Sequence, residues 1–354
     1  MNTMISESST DKVVIALDAM GGDHAPTEVI KGADLLLEDP SYNIYFKIYG
    51  DKDKITPLLN KLPRLANRSE LIHTTQIVAP GEKPSNAIRN FKESSMQLAI
   101  NAVKEKQADA VLSAGNTGAL MAMSTITLRT LPQIHRPAII NTLPATDHKK
   151  IVLLDLGANI ESDANNLFQF AIMGEAFARV VLNKKEPVIA LLNIGSEELK
   201  GKDSIKLAYS MLKETTLPIN FYGYIEGHEL SDGKVDVVVT DGFTGNVMLK
   251  TIEGYAKVYK HLAKQAFRGS LLAKLQFLFA RSAFKKISSN LDARKYNGAM
   301  LIGLNGIVVK SHGSTDKVGM CNALKVTYNL ARAEINKQIA EELVLTNHSE
   351  ELIT

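Results

Sequence analysis

Four loops rich in glycine, asparagine and aspartate follow predicted strands, and chemistry is expected there. They are Asp18-Ala-Met-Gly-Gly-Asp-His24, Ser113-Ala-Gly-Asn-Thr-Gly118, Asp155-Leu-Gly-Ala-Asn159 and Asp241-Gly-Phe-Thr-Gly-Asn246. Glycine lets a backbone approach a ligand closely, and asparagine or threonine caps the helix that follows. The first amides of such a helix, at the positive end of its dipole, favour an anion. Any one of these loops is explained equally well as a tight turn between a strand and a helix, but the four together predict an anion-binding site.

Apolar, β-branched runs alternate with segments of helical periodicity, and these elements must position the loops. Several runs are apolar on both faces, which is typical of a sheet covered by helices on both sides. The alternation predicts an α/β fold with a doubly wound, mostly parallel sheet, whose ligands bind at the carboxyl ends of the strands. The predicted strands are Val13–Met20, Ile44–Gly50, Leu71–Val78, Ala110–Ala114, Ile151–Leu156, Val188–Ile194, Asn220–Tyr224, Val235–Thr240 and Ala299–Val309. Predicted helices include Asn86–Gln107, Asp163–Leu182, Ser204–Thr215 and Gly245–Phe267.

Composition narrows the class of protein. The 354 residues are 45% hydrophobic and 22% charged, which is ordinary for a globular chain. The formal net charge of +3 is too small to indicate a nucleic-acid partner. The single cysteine, Cys321, excludes a disulfide framework and fits a reducing cytosol. Cys321 follows Gly319-Met320 at an apolar helix start, where we interpret it as a buried structural thiol rather than a nucleophile.

We expect one α/β catalytic domain over residues 13–343, between a disordered tail at 1–12 and a second tail at 344–354. The first twelve residues lack the apolar core of a signal peptide, and no transmembrane helix is expected. Motifs for dinucleotides, for zinc and for a serine nucleophile are absent: Gly-x-Gly-x-x-Gly, His-Glu-x-x-His and Gly-x-Ser-x-Gly.

A basic segment interrupts this pattern, because no acidic residue occurs between Gly254 and Leu291. Apolar residues alternate with its lysines and arginines, so we predict a helical hairpin insertion over 257–290 that projects from the domain. Such a hairpin either binds an acidic surface or is a solvated face over a core. The predicted contact residues are Leu271, Leu275, Leu278, Phe279, Lys274 and Arg281.

At its loops the sequence resembles the bacterial phosphate acyltransferases, which make acyl phosphate from acyl carrier protein. The resemblance runs from Val13 to about Arg332. Its long and specific motifs are Asp18-Ala-Met-Gly-Gly-Asp-His-Ala-Pro26, Ser113-Ala-Gly-Asn-Thr-Gly-Ala119, Asn193-Ile-Gly-Ser-Glu-Glu-Leu-Lys-Gly201, Asp241-Gly-Phe-Thr-Gly-Asn-Val247 and His312-Gly-Ser314.

The resemblance implies transfer of a long-chain fatty acyl group from acyl carrier protein to inorganic phosphate, for glycerol-3-phosphate acylation in phospholipid synthesis. It also implies a fold similar to isocitrate and isopropylmalate dehydrogenases and to phosphotransacetylases. A homodimer in the cytoplasm is expected, in peripheral contact with an anionic membrane and with the membrane acyltransferase that acts next. The basic hairpin would contact the membrane, bind the carrier protein or form part of the dimer interface.

Roles for individual residues follow from the reaction, in which phosphate is already an anionic nucleophile. We place phosphate on the helix-start loop, at Ser113, Gly115, Asn116, Thr117 and Gly118. The remaining substrate is assigned to Asp241, Gly242, Gly245 and Asn246. Neither a cofactor nor a metal is required by this scheme.

A cation should neutralise the phosphate, and Lys202, Arg136 and His24 are the candidates. Lys202 is alternatively a solvated helix start, Arg136 a surface charge, and His24 either an oxyanion donor or a helix cap. Asp155 and Asn159 would orient these donors, although Asp155 is equally a turn residue at a strand end.

Two other functions remain open from sequence. An NAD-dependent dehydrogenase on the same fold would need an adenine-ribose site, and an NAD titration would detect it. A non-enzymatic adaptor for a membrane or carrier protein is supported by the basic hairpin alone, and formation of acyl phosphate would exclude it.

Overall fold

The computed structural model describes residues 12–266 and 292–350. The chain forms two compact units, each assembled from two segments. The first unit comprises Met1–Pro132 and Asn297–Gln338, and the second comprises Gln133–Tyr296 and Ile339–Thr354. The sequence predicted a single domain over 13–343, whereas each unit has strands and a core of its own.

The strands follow one another along the chain with a helix between most neighbours. They are β1 (Val13–Asp18), β2 (Ile44–Gly50), β3 (Ser69–His73), β4 (Ala110–Ser113), β5 (Ala138–Pro144), β6 (Lys150–Leu154), β7 (Val188–Leu192), β8 (Asn220–Ile225), β9 (Val237–Val239), β10 (Ala299–Ile302) and β11 (Ile307–Lys310).

The described helices are numbered in the same way. They are α1 (Thr27–Leu36), α2 (Lys52–Leu59), α3 (Pro63–Ala66), α4 (Pro84–Asn90), α5 (Ser95–Lys104), α6 (Thr117–Leu128), α7 (Ala164–Leu182), α8 (Asp203–Glu214), α9 (Gly242–Ala266), α10 (Lys317–Arg332) and α11 (Ile335–Glu350). We expected residues 344–354 to form a tail, but α11 continues through most of them and ends at Glu350.

The strands of the first unit lie in the order β3-β2-β1-β4-β11-β10. All neighbours are parallel except β10 and β11, which are antiparallel. The sequence predicted one strand over Ala299–Val309, and this prediction is wrong. Asn305 and Gly306 lie in the turn of a hairpin, where Asn-Gly is a strong turn signal. The side-chain Nδ2 of Asn305 also donates to the carbonyls of Leu128 and Thr130, at 3.2 Å and 2.6 Å.

The strands of the second unit lie in the order β5-β6-β9-β7-β8. Strand β5, which the sequence analysis missed, is antiparallel to β6, and the other pairs are parallel. Helix α7 begins as predicted, because Asp163 caps it by accepting a hydrogen bond from the amide of Asn166 at 2.8 Å. Phe170 and Phe177 of α7 are buried in this unit's core. The mostly parallel α/β fold class is thus confirmed.

Helix α9 contains residues 257–266, the first residues of the predicted basic hairpin. The structure describes that hairpin only up to Ala266. The contact residues assigned to the hairpin lie outside the described residues: Leu271, Leu275, Leu278, Phe279, Lys274 and Arg281. Within α9, Tyr255, Val258 and Leu262 are exposed. Across residues 12–266 and 292–350, every helix is too short or too polar to span a bilayer.

Candidate active site

In the first unit, three strand ends lie side by side and bring their loops together. Asp18 at the end of β1 and Lys310 at the end of β11 are both in register with Ser113 at the end of β4. Because these strands are parallel, the loops that follow them leave the same edge of the sheet.

Ser113 is fully buried and holds its own loop in place. Its hydroxyl donates to Oδ2 of Asp18 at 2.6 Å and accepts from the amide of Gly115 at 3.0 Å. The other Asp18 oxygen accepts from the amide of Met20 at 3.2 Å. Burial raises the pKa of Asp18, while hydrogen bonds from Ser113 and its neighbours act in the opposite direction. Ser113 therefore holds the loop in shape, and its hydroxyl is engaged in these two hydrogen bonds. Its predicted contact with phosphate stays a prediction.

Asn116 begins α6 with its side chain fully engaged. Its Oδ1 accepts from the amide of Ala119 at 3.0 Å, and its Nδ2 donates to the carbonyls of Pro80 and Glu82 at 2.7 Å and 2.9 Å. The first intrahelical bond joins the amide of Leu120 to the carbonyl of Asn116 at 2.9 Å. The amides of Thr117 and Gly118 therefore precede the helical hydrogen-bond ladder, where they are available to an anion.

These loops surround a cavity of about 260 Å³ in the first unit. Of the residues predicted to bind phosphate, Gly115, Asn116 and Thr117 line it, whereas Ser113 and Gly118 do not. The other lining residues come from the loops after β1, β3, β4 and β11 and from the end of β11 itself: Met20, Gly22, Asp23, Ile77, Val78, Pro80, Ala114, Lys310 and Gly313.

Lys310 is a cation of this cavity that the sequence analysis missed. Its Nζ donates to the carbonyl of Ala114 at 3.4 Å and to the carbonyl of Ser311. Burial lowers the pKa of Lys310 to about 8, although the negative charges of Asp18 and Asp23 act to raise it. The available signal was its position at a strand end, two residues before the His312-Gly-Ser314 motif.

His24 lies beside this cavity rather than in its wall. The residue is exposed and lines a smaller neighbouring cavity of about 10 Å³. Its interpretation as a helix cap is wrong, because Pro26 occupies the cap position of α1 and no side chain caps that end. Its role as an oxyanion donor stays a prediction.

In the second unit, Asp155 is fully buried and organises the loop after β6. One carboxylate oxygen, Oδ1, accepts from the amides of Ile139, Gly157 and Ala158 at 3.0, 3.0 and 2.9 Å. The other, Oδ2, accepts from the amide and the side chain of Asn159 at 2.7 Å and 3.0 Å. With both oxygens occupied, Asp155 is a strand-end turn residue. Asn159 also donates to the carbonyl of Pro137 at 2.8 Å, so it holds the same turn.

Lys202 and Asp241 form an ion pair in the second unit, with Nζ and Oδ2 separated by 2.8 Å. Asp241 is buried, and its Oδ1 accepts from the amide of Thr244 at 2.7 Å at the start of α9. Burial alone would raise the pKa of Asp241, but the hydrogen bonds from Lys202 and Thr244 bring it below its usual value. The Lys202 side chain is 63% exposed and already has a counterion.

Gly242 and Gly245 let α9 start directly against the Asp155–Asn159 turn. The amide of Gly242 donates to the carbonyl of Asn159 at 2.8 Å. An added Cβ at Gly242 would overlap that carbonyl oxygen, and one at Gly245 would overlap the carbonyl oxygen of Asp155. These two glycines therefore serve close packing. Asn246 is exposed one position further along α9.

The remaining predicted residues are Arg136 and Cys321. Arg136 is exposed, two residues before β5. Cys321 is buried in α10, as predicted, and burial raises the pKa of its thiol. Within the described part of the chain, no group of three histidine, cysteine, aspartate or glutamate side chains is placed to hold a metal ion.

The chain's relatives identify its family. The model of a family described as fatty acid synthesis protein matches residues 13–338. The phosphate acyltransferase of Rhodospirillum centenum is 52% identical over 334 residues, covering 94% of each chain. That of Parvibaculum lavamentivorans is 50% identical over 336 residues, covering 94% of this chain and 92% of its own. The chain belongs to the phosphate acyltransferase family.

Membership makes the protein an acyltransferase of lipid synthesis, and it favours this function over the dehydrogenase and the adaptor. Solved structures agree at the level of the fold. A phosphotransacetylase from Streptococcus pyogenes aligns with a TM-score of 0.61 at 16% identity, over 91% of this chain and 94% of its own. The EutD phosphotransacetylase from Staphylococcus aureus aligns with a TM-score of 0.58 at 18% identity, over 90% and 94%.

Proposed function

We propose that this acyltransferase moves a long-chain fatty acyl group from acyl carrier protein to inorganic phosphate. The product, acyl phosphate, would then acylate glycerol-3-phosphate in phospholipid synthesis. The relatives' name supports phosphate as acceptor, and the family description supports a fatty acyl donor.

The observation that carries this proposal is the cavity at the start of α6. It combines a volume of about 260 Å³ with the first backbone amides of a helix and a lysine in its wall. Free amides at a helix start and a nearby cation are the groups that bind a phosphate dianion.

The chemistry needs no nucleophile from the protein. An oxygen of hydrogen phosphate attacks the thioester carbonyl carbon, and the carbon–sulfur bond breaks. The proton of hydrogen phosphate passes to the departing sulfur, so that acyl phosphate and a free thiol result. The protein contributes positioning and stabilisation of the developing oxyanion. This scheme gives Ser113 no role as a nucleophile, which agrees with its hydroxyl donating a hydrogen bond to Asp18.

A cytoplasmic homodimer in peripheral contact with an anionic membrane is part of the proposal. The hairpin predicted over 257–290 would provide that contact or recruit the acidic carrier protein, close to the membrane acyltransferase that consumes acyl phosphate. The exposed side chains of Tyr255, Val258 and Leu262 on α9 support an interaction surface beside this segment.

The experiment is a reconstitution with the purified chain, long-chain acyl carrier protein and ³²P-labelled phosphate. We expect labelled acyl phosphate, which hydroxylamine converts to the hydroxamate, in amounts equal to the thiol released. Thiol release without labelled product would mean hydrolysis and would contradict the proposal. Parallel reactions with acyl coenzyme A identify the preferred donor, and an NAD titration tests the dehydrogenase alternative.

A further inference from the structure

We propose that Lys310 is the cation that binds the phosphate substrate, in the cavity of the first unit. This assignment rests on the proposed function and replaces Lys202, Arg136 and His24 in that role.

The first argument is the position of the ammonium group. Lys310 ends β11 in register with Ser113, and its Nζ contacts the carbonyls of Ala114 and Ser311 in the cavity wall. The loop after Ser113 carries the amides of Thr117 and Gly118. The cation therefore lies at the end of β11, and the helix start follows the end of the neighbouring strand β4, at the same edge of the sheet.

The second argument is that the charge lacks a counterion among the residues that the structure describes. Carbonyl oxygens solvate an ammonium group but do not neutralise it. Asp18 and Asp23 act on Lys310 through space without forming an ion pair, and Asp18 is held by Ser113 and Met20. An uncompensated charge in a partly buried site costs free energy, which a bound anion would offset.

The third argument is the comparison with the other cations. Lys202 is paired with Asp241 at 2.8 Å, so its charge is already neutralised. Arg136 and His24 are exposed, where water screens their interactions. Since charge interactions strengthen as the local dielectric falls, Lys310 offers phosphate the stronger interaction.

In the reaction, the Lys310 ammonium stays protonated and contacts oxygens of hydrogen phosphate that do not attack. The attacking oxygen forms its bond to the thioester carbon, and the sulfur leaves with the phosphate proton. Lys310 would thus lower the cost of bringing a dianion into the cavity and hold it for attack.

The test compares Lys310→Met with Lys104→Met, an exposed lysine at the end of α5 that lies outside the cavity wall. Methionine keeps the length and packing of the side chain but removes its charge. For Lys310→Met we expect kcat/KM for phosphate to fall by roughly 10² or more. The KM for the acyl donor should stay within about twofold, and Lys104→Met should behave as the wild type.

Equilibrium binding of inorganic phosphate, followed by ³¹P NMR without any acyl donor, separates the two proposals. Binding by the wild type that Lys310→Met abolishes supports the assignment even if no acyl phosphate forms, in which case only the proposed function fails. Equal phosphate binding and equal KM in wild type and Lys310→Met would overturn the assignment. If Lys310→Met does not fold, Lys310→Gln and Lys310→Arg provide the same comparison, with arginine expected to retain part of the binding.

Discussion

The hydroxyl of Ser113 lies 2.6 Å from Oδ2 of Asp18, and this bond fixes the loop that forms one wall of the cavity. The same hydroxyl accepts a hydrogen bond from the amide of Gly115 at 3.0 Å, so one buried oxygen joins β1 to the loop after β4. Ser113 is thereby a positioning residue, with an effect that can be measured apart from binding itself.

Ser113→Ala removes the donor to a buried carboxylate oxygen and the acceptor of the Gly115 amide. We expect the free energy of unfolding to fall by about 1–3 kcal/mol, which is the usual cost of leaving such groups unpaired. The KM for phosphate should rise while the KM for the acyl donor changes little. Ser124→Ala is the matched control, because the Ser124 hydroxyl is buried and has no hydrogen-bond partner among residues 12–266 and 292–350. Equal melting temperatures for the two variants would contradict the positioning role.

Gly313→Val tests the cavity by filling it. Gly313 lines the cavity, and a Cβ added there would lie 3.6 Å from the carbonyl oxygen of Ala114 and 3.8 Å from Oδ1 of Asp23. These are ordinary contacts, so the variant should fold while its side chain occupies space needed by phosphate. We expect loss of phosphate binding by ³¹P NMR with an unchanged circular dichroism spectrum. Gly81→Val is the control, because an added Cβ there would meet no atom of the described residues within 4 Å.

The lowered pKa of Lys310 predicts how phosphate use depends on pH. Burial brings this pKa from the usual 10.5 to about 8, so the free protein loses the ammonium charge as pH rises through about 8. We expect kcat/KM for phosphate to decline above that pH. In Lys310→Arg the decline should move to much higher pH, since arginine stays charged. Identical profiles for wild type and Lys310→Arg would show that another group controls the decline.

The same pKa shift makes a prediction about stability. Between pH about 8 and 10.5 the unfolded chain binds more protons at Lys310 than the folded chain does. The contribution of Lys310 to the free energy of unfolding should therefore increase as the pH rises across this window. Lys310→Met should lack that contribution in denaturant titrations, whereas Lys104→Met should retain it.

The basic hairpin predicted over 257–290 is tested by separating its apolar residues from its charges. Leu275→Glu with Leu278→Glu should release the protein from anionic vesicles while turnover with soluble acyl carrier protein continues. Gln276→Glu with Ser282→Glu adds the same charge but keeps both leucines, so it should weaken binding by about 1 kcal/mol per added charge and remain salt-sensitive. Vesicle binding that survives the leucine changes would assign this segment to a protein interface.

The sequence predicted the four loops because glycine, asparagine and aspartate after an apolar run report local backbone needs. It could not show that Asp155 also accepts a hydrogen bond from the amide of Ile139, because that donor lies 16 residues earlier, on the strand β5 that the sequence analysis missed. Lys310 was missed for a related reason. It reaches Ala114, 196 residues earlier in the chain, through the pairing of β11 with β4, and no local pattern encodes this pairing.

That pairing also orders events while the chain is being made. The first unit's early segment ends at Pro132, whereas the strand that covers the free side of β4 arrives with Lys310. At ribosomal speeds of about 5–20 residues per second, the 196 residues between Ala114 and Lys310 take roughly 10–40 s to emerge. During that interval the edge of β4 is open to wrong partners. A nascent chain cut short before residue 297 would have the loop after β4 but not Lys310. If phosphate binds as proposed, it can therefore stabilise only chains that have been translated past Lys310.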